Sequence, residues 1–588
     1  MVDKLINKGK RLFTSPQSSI FSAATVIMLM IVVSKILGFV RQRTLFSFFS
    51  PSETDLFLAA FELPDLIFEV FVYGVLSASF IPVFTKYLTK KKSKDAWHVA
   101  AAGLNILLII FVALSLLVII FANPLYNLVT GSFAKNLIGV SGGFSVKQVS
   151  QVVALSRTIL VAQLFFVVSS FMTGILESHK RFIIPAIAPL FYNLGIIGGT
   201  VLLSAKYGLM GPTIGAVIGA FFHMAIQIPF ATQLGFRPKL ILDFKHPGIK
   251  KLAKLSIPRI IELSFFQLRR FVWLFLASAV SGGFTYLKSA DLLQTLPIGV
   301  FGVSLAKAAL PTLSQQEAEG DREKFKRTFT NTLNQILFLV IPTTVFLAVL
   351  RVPVVRLVFG ADRFDWDATI QTGLVLSAFL IGSFAYAGSL LVSRAFYALH
   401  DTKTPVLISI ISILVNSVLG FVFILVLKID TWGIALAYSI AGNLQFFTLL
   451  MLLIKKIKLS VSSFLIPLTK ILVASGISGF IMFLILKVFD KSVWVKRLSF
   501  LGKFEVHNNI PFENFVLDTR YTGNLLALTV MTIFVGGLIY LLLSLLFRLK
   551  EIHVIAGFAK KIMKSQKIGP IAKKEKEPVS PPPTDSVI

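Results

Sequence analysis

The stretch AWHVAAAGLNILLIIFVALSLLVIIFA, residues 96–122, contains no Asp, Glu, Lys or Arg and consists mainly of Leu, Ile, Val, Phe and Ala. A helix needs about twenty such residues to cross a hydrocarbon core roughly 30 Å thick, and this run exceeds that length. Similar runs recur throughout the 588 residues, of which 55% are hydrophobic, and the mean hydropathy is +0.82. Because a soluble protein of this size could not bury so much apolar surface, the sequence predicts an all-α integral membrane protein.

Counting the apolar runs predicts about 14 transmembrane helices. The basic residues 1–17 precede the first run, and no small-residue cleavage site follows them, which favours a leader into a retained helix over a signal peptide. The runs cover residues 18–41, 54–84, 96–122, 150–177, 182–204, 209–233, 250–281, 287–314, 325–350, 368–398, 404–427, 431–454, 462–488 and 522–548.

The net charge of +30 lies mostly in short connectors between these runs. Connectors rich in Lys, Arg or His alternate with connectors that are poor in them, such as 44–53, 205–208 and 282–286. The positive-inside rule therefore predicts that the rich connectors and both chain ends lie in the cytoplasm. There the basic residues meet anionic headgroups, so membrane lipid rather than nucleic acid is the expected partner. The rich connectors lie at 86–94, 179–181, 237–251, 322–327, 403 and 455–458.

The chain also resembles itself at an offset of 220–229 residues. Pro82 corresponds to Pro311, Pro185 to Pro405, and Gly211 to Gly433. An even number of helices per copy keeps both copies in the same orientation, so the offset predicts two six-helix lobes in a parallel pseudo-repeat, with a binding site between them. The predicted organisation is a leader (1–17), an N-terminal lobe (18–233), a C-terminal lobe (250–454), two extra helices (462–548) with an external insert at 489–521, and a basic, then disordered tail (549–588).

Ionisable residues are concentrated inside four of the predicted spans, and each costs roughly 2.5–3.5 kcal/mol on insertion scales. The spacing of Asp55, Glu62, Asp65 and Glu69 places all four on one helical face. A purely structural interpretation is that the charges pair with one another, or that they reach the membrane–water interface from helix ends, as is expected of Arg259. Their concentration on the first two helices of each lobe instead predicts a hydrated cavity that suits an anionic substrate. The remaining members are Lys35, Arg41, Glu262, Arg269, Arg270, Lys288 and Asp291.

Other kinds of chemistry find no support in the sequence. The absence of Cys excludes disulfides, thiolate catalysis and Cys-ligated metals. No GxxxxGK[ST] motif is present, and the seven His lack metal-ligand spacing, so neither a nucleotide motor nor a metal site is expected. No nucleophile lies beside a base. We therefore expect a protein that is not an enzyme, with no catalytic residue and no cofactor.

The segment from Ser34 to Phe84, which begins SKILGFVRQRTLF and ends SFIPVF, resembles the start of the MurJ (MviN) lipid II flippases. Their pattern is S-R-x-L-G-F-x-R-D, then T-D-A-F, P-N-L and F-x-P. Three later stretches are also similar to the family: RFIIPAIAPLFYN (181–193), LPIGVFGVSLAKAALPTLS (296–314) and RAFYALHDTKTP (394–405). The resemblance covers roughly residues 20–550.

This resemblance implies the fold of the multidrug/oligosaccharidyl-lipid/polysaccharide (MOP) exporter superfamily, with the last two helices forming a groove for a lipid tail. It implies movement of undecaprenyl-diphosphate-linked disaccharide-pentapeptide (lipid II) to the outer leaflet of a bacterial cytoplasmic membrane, for peptidoglycan synthesis. The chain departs from the family pattern in its arginines. Lys35 replaces the first arginine and Arg41 retains the second, whereas Phe68 and Leu292 stand where two others are expected.

From these observations we expect a monomeric flippase that works by alternating access, driven by a cation or by the membrane potential. Lys35, Arg41, Arg269, Arg270 and Lys288 are the expected contacts of the substrate diphosphate. Neighbouring helical positions differ by about 100°, so Arg269 and Arg270 cannot both face the cavity, and Arg269 is favoured.

The acids Asp55, Glu62, Asp65, Glu69, Glu262 and Asp291 are assigned to gating or charge pairing, with Asp55 pairing with a cation of the first or seventh helix in one state. Three alternatives remain open: a flippase for another polyprenyl-linked glycan, a cation-coupled drug exporter, and a membrane scaffold.

Overall fold

The computed structural model describes residues 20–73, 76–130, 143–490 and 517–552, and these fold into α-helices. We number the helices α1–α14 in chain order. They are α1 Ile20–Phe48, α2 Pro51–Ile67 with the helical segments Phe68–Tyr73, Leu76–Phe80 and Ile81–Thr89, α3 Ser93–Thr130, α4 Val146–Ser178, α5 Ile183–Tyr207, α6 Met210–Ala225 continuing to Gln233, α7 Pro247–Ala277, α8 Gly283–Pro297 continuing to Ala318, α9 Arg322–Val349, α10 Trp366–Ala398, α11 Lys403–Phe421 continuing to Val426, α12 Trp432–Ile457, α13 Ser462–Phe489 and α14 Thr522–Leu546. A short helix, Arg351–Phe359, follows α9.

Eleven helices of this described part are long and apolar enough to cross a membrane. They are α3–α6 and α8–α14; of the other helices, α2 and α7 carry many of the charges discussed above. The predicted all-α membrane fold is confirmed, and a count of about 14 spans is compatible with it. The leader, most of the external insert and most of the tail lie outside the described residues.

Local sequence signals explain where several helices begin. Ser50 and Glu53 form a reciprocal capping box at the start of α2, with Pro51 at the first helical position. Ser145 and Gln148 form another at the start of α4. These side chains satisfy backbone N–H groups that have no partner inside the helix.

Wider π-helical turns interrupt α2 at Phe68–Tyr73 and Leu76–Phe80, and α8 at Ile298–Val303. These two helices are the second members of their respective six-helix halves. π-Turns are uncommon and are frequently found at functional sites. Their presence in equivalent helices agrees with an internal repeat.

Helix pairing repeats with a shift of six along the chain. The pairs α1·α5, α2·α4, α4·α6 and α5·α6 have the counterparts α7·α11, α8·α10, α10·α12 and α11·α12. Outside this scheme, α13 packs on α9 and α14. The pattern is the one expected of a parallel repeat followed by two extra helices.

Glycines allow α5 and α6 to pack at very short range. A Cβ at Gly195 would lie 2.5 Å from the carbonyl oxygen of Gly215, and one at Gly199 would lie 2.5 Å from that of Gly211. Because lipid supplies no hydrophobic force between helices, small residues that permit close backbone approach stabilise such pairs.

The two ends of the bundle differ in how the halves meet. The basic end carries the connectors 90–92, 179–182, 234–246, 319–321, 399–402 and 458–461, and the opposite end carries 49–50, 208–209, 278–282 and 360–365. At the opposite end one apolar core joins both halves, with Phe46 and Phe57 packed among Phe284, Phe359 and Phe364. Of the two other cores, one lies within the C-terminal half and helices α13 and α14, and the other packs α2, α3 and α4 against Ile249 and Leu252 of α7. The halves are therefore closed together at the opposite end.

Candidate substrate cavity

A cavity of about 590 Å³ lies between the two halves, at mid-depth in the bundle. It is lined by α1, α2, α4 and α5 on one side and by α7 and α8 on the other. Its wall combines phenylalanine rings with polar groups of both charge signs, as predicted for the first two helices of each half. The polar lining residues are Arg41, Gln42, Glu62, Asp65, Glu69, Gln163, Tyr192, Arg270 and Lys288.

An ion-pair network occupies one wall of this cavity. The Glu62 carboxylate, only 3% exposed, lies 3.0 Å from Arg270 Nε and 2.8 Å from Lys288 Nζ. Arg270 also contacts Asp65 at 3.4 Å and Glu69 at 2.9 Å. Because Glu62 belongs to α2 while its partners belong to α7 and α8, these pairs tie the two halves together.

The cation that α7 contributes to the cavity is Arg270, and the preference for Arg269 was wrong. The Arg269 guanidinium carbon lies 5.1 Å from the Trp273 ring centroid and 5.2 Å from that of Tyr438, which places it among aromatic rings of the C-terminal half. Spacing along α7 suggested that Arg269 shared a face with Arg259 and Glu262. The acids of α2 determine instead which arginine faces the cavity, because they lie on the side of α7 that carries Arg270.

Arg41 projects into the cavity from α1 without an ion-pair partner in the described part of the chain. Its Nε is buried and has no hydrogen-bond partner there. A buried donor of this kind is costly unless a ligand or water satisfies it. Arg41 is therefore the cation of the cavity most open to an incoming anion.

Lys35 lies outside this cavity. Its side chain is exposed and borders a smaller cavity of about 270 Å³, together with Glu177, Phe182 and Pro185. Six residues separate Lys35 from Arg41, a rise of about 9 Å along α1 toward the basic end.

Asp55 also lies outside the cavity, at the closed end. Its Oδ1 accepts a hydrogen bond from the backbone N–H of Thr285, at 2.7 Å. Within the part of the chain that the structure describes, Asp55 has no ion-pair partner, so the expected cation is not beside it in this state. Nearby, the backbone N–H of Arg363 donates to the carbonyl oxygen of Phe46 at 3.0 Å, and the rings of Phe46 and Phe364 pack in a tilted arrangement with centroids 4.5 Å apart.

Among the residues that the structure describes, Asp291 does not join the network of Glu62. Asp291 accepts a hydrogen bond from Gln294 at 2.9 Å and interacts electrostatically with Arg269. The side chain of Glu262 lies outside the described part of the structure.

Some lining residues were not predicted from the sequence. Gln163 of α4 donates to Asp65 at 2.7 Å, and Gln267 of α7 donates to Glu69. Phe166 and Tyr192 pack edge to face at 4.9 Å on the α4–α5 side of the cavity. A glutamine in the middle of an apolar run could have indicated Gln163, whereas nothing distinguishes Phe166 from the other 55 phenylalanines.

Comparison with protein families gives a match over most of the chain. A family model described as "Lipid II flippase MurJ" matches residues 46–504. The "Probable lipid II flippase MurJ" of Bdellovibrio bacteriovorus is 27% identical over 391 residues, which are 66% of this chain and 73% of that protein. The protein of the same name from Borreliella burgdorferi is 25% identical over 489 residues, or 81% and 91% of the two chains.

Solved structures show similarity to the same family. One described as "Lipid II flippase MurJ, inward closed conformation" has a TM-score of 0.67 at 25% identity, covering 89% of this chain and 99% of the other. An inward-facing multidrug transporter of the MATE family and MOP superfamily has a TM-score of 0.57 at 14% identity, covering 74% and 98%. This second likeness concerns the fold alone.

Proposed function

The chain belongs to the lipid II flippase MurJ family, and on that premise we propose that it moves lipid II from the inner to the outer leaflet of a bacterial cytoplasmic membrane. It is a multi-pass transporter rather than an enzyme. One observation carries the assignment to this cavity. Arg41, which has no ion-pair partner in the described residues, shares a mid-depth cavity with Arg270 and Lys288.

A diphosphate carries about two negative charges, and guanidinium groups bind phosphate oxygens through short, charge-assisted hydrogen bonds. Arg41 would therefore make the first strong contact with the diphosphate inside the cavity. Lys35, about 9 Å closer to the basic end, would attract the headgroup on its way in. Arg270 and Lys288 would complete the site from the other half. They would stand in for the arginines that Phe68 and Leu292 replace.

Alternating access is supported by the apolar core that joins the two halves at the end opposite the basic connectors. If the basic end faces the cytoplasm, as the distribution of Lys and Arg predicts, then the closed end faces outward and the cavity serves the inner leaflet. Rocking of the halves would break the contact of Asp55 with Thr285 and open the outer end. Asp55 is thus proposed to gate the cavity rather than to bind substrate.

Transport needs an energy source that this chain would take from the membrane. Movement of one charge through the membrane field is worth about 2.3 kcal/mol per 100 mV, so outward movement of a diphosphate would be favoured by a potential that is negative inside. A coupling cation is the other source that we propose. We further propose that one copy of the chain suffices, because the cavity is formed within a single chain.

Another lipid-linked glycan remains a second candidate substrate, favoured by one observation. Phe68 lines the cavity at a position where the resemblance leads us to expect an arginine. Both candidates share a polyprenyl diphosphate, so they differ only in the sugar and peptide.

The deciding experiment is complementation of a bacterium whose own MurJ can be depleted. We expect the chain to restore growth and lipid II export, and its Arg41→Ala variant, inserted at the same level, to fail. Failure of the unaltered chain, combined with transport of a different polyprenyl-linked glycan in vesicles, would assign the second candidate.

A further inference from the structure

The carboxylate of Glu62 occupies the position in which a phosphate oxygen would meet the cations of the C-terminal half. One of its oxygens contacts Arg270 Nε at 3.0 Å and the other contacts Lys288 Nζ at 2.8 Å. The carboxylate is almost fully buried, whereas the two cations are 20% and 25% exposed toward the cavity. Glu62 thus bridges both cations from within the protein.

Arg270 has little capacity left for another anion in this arrangement. Its Nε lies 3.0 Å from one oxygen of Glu62, and its two terminal nitrogens donate hydrogen bonds to Glu62, Asp65, Glu69 and Gln267. The cavity as a whole carries three cationic and three acidic side chains, so its formal charge is zero. A bound diphosphate would add about two negative charges in surroundings of low dielectric constant, where unbalanced charge is costly.

Carboxylate and phosphate oxygens compete for the same donors because both accept charge-assisted hydrogen bonds from guanidinium and ammonium groups. We infer that Glu62 is an internal competitor of the substrate diphosphate, holding Arg270 and Lys288 in the empty cavity and releasing them when the diphosphate binds. This inference rests on the proposed function. It makes Glu62 a residue that sets affinity, in addition to the cations that contact the substrate.

The exchange also has a mechanical consequence. The pairs of Glu62 join α2 to α7 and α8, across the two halves. Transfer of both cations to the diphosphate replaces this direct tie by one that runs through the substrate, which Arg41 contacts from the other half. Binding of substrate would therefore change how the two halves are joined at mid-depth.

The test is the affinity of the purified full-length chain, in lipid nanodiscs, for undecaprenyl diphosphate. Glu62→Gln keeps the size of the side chain and removes its charge. We expect it to bind the probe about tenfold more tightly than the unaltered chain, within the range typical of coupled binding equilibria. Glu69→Gln, at a carboxylate that is 42% exposed and contacts only one of the two cations, should give a smaller gain.

Glu323→Gln is the matched control, because it removes the same charge from a side chain that is 83% exposed and pairs with Lys326. It should leave the affinity unchanged. Equal or weaker binding by Glu62→Gln, with a melting temperature close to that of the unaltered chain, would overturn the inference. If Glu62→Gln fails to fold, the affinity of Glu69→Gln is the test. Tighter binding by Glu69→Gln would then support the inference, and equal or weaker binding would overturn it. No binding by the unaltered chain would instead contradict the proposed function.

Discussion

The backbone N–H of Thr285 donates a 2.7 Å hydrogen bond to Asp55, so a side chain of α2 caps the start of α8. The N-cap residue of α8 is Gly282, at φ 76°, and it offers no side chain of its own. A carboxylate at a helix N-terminus satisfies an unpaired N–H and interacts favourably with the helix dipole. The cap of α8 is therefore available only while the two halves are closed at this end.

Asp55→Ala is expected to weaken closure at this end by about 1–2 kcal/mol, the usual cost of losing an N-cap. The chain has no native Cys, so a disulfide between Phe46→Cys and Phe364→Cys can report closure directly. Asp55→Ala should lower the yield of this disulfide in the empty protein. An unchanged yield would mean that closure of this end does not depend on Asp55.

Arg41→Ala should reduce transport of lipid II by about tenfold or more, because a hydrogen bond to a charged group contributes about 1.5–3 kcal/mol. The measurement is headgroup accessibility in cells expressing each variant at equal level. Lys206→Ala, at the last turn of α5, is the control and should transport normally. Normal transport by Arg41→Ala would exclude it as a phosphate contact.

Substitutions of the neighbours Arg269 and Arg270 should have different effects, one on stability and the other on substrate binding. Arg270→Gln is expected to abolish binding of a polyprenyl diphosphate, because it removes a cation that faces the cavity. Arg269→Gln should retain binding while lowering stability by about 1–2 kcal/mol through loss of two cation–π contacts. Ligand titration and thermal unfolding of both variants in detergent provide the comparison. An equal loss of binding in both would contradict the orientation of α7 described above.

Two adjacent glycines of α5 test its packing against α6. A Cβ at Gly199 would lie 2.5 Å from the carbonyl oxygen of Gly211, whereas one at Gly198 would have no neighbour within 4 Å. Gly199→Ala should therefore destabilise the protein by about 1–3 kcal/mol, as overpacking does. Gly198→Ala should leave the melting temperature unchanged or slightly raised. Similar melting temperatures for both variants would show that α5 and α6 can separate without cost.

A connector at the basic end gives a prediction about pH. The hydrogen bond from Lys456, at 2.7 Å, lowers the pKa of Asp401 below its usual value. A carboxyl group with a lowered folded-state pKa stabilises the fold above its unfolded-state pKa, near 3.9, and loses this effect as pH falls through the folded-state value. Lys456→Met should thus lower stability at pH 7, by no more than about 1 kcal/mol for so exposed a pair. The difference from the unaltered chain should disappear near pH 3, as measured by thermal unfolding.

Much of the fold was predictable because each helix carries its own signal. A run such as 96–122 must form a helix in lipid, since its backbone groups have no other partner there. The spacing of Glu62, Asp65 and Glu69 likewise identified one face of α2 from helical periodicity alone. The resemblance of Ser34–Phe84 to a known family then pointed to the function. None of these inferences depends on how the helices pack.

Tertiary packing decided which charges meet. Arg269 and Arg270 are adjacent in sequence, and only the position of the α2 acids across the cavity shows that Arg270 is the one that faces it. Asp55 was predicted to pair with a cation, but its partner is the backbone N–H of Thr285. Every residue except proline has such a group, so the sequence does not indicate which one becomes the partner. Periodicity gives the direction of a side chain relative to its own helix axis. The rotation of one helix against another is set by packing over the whole bundle, and that rotation determines the pairs.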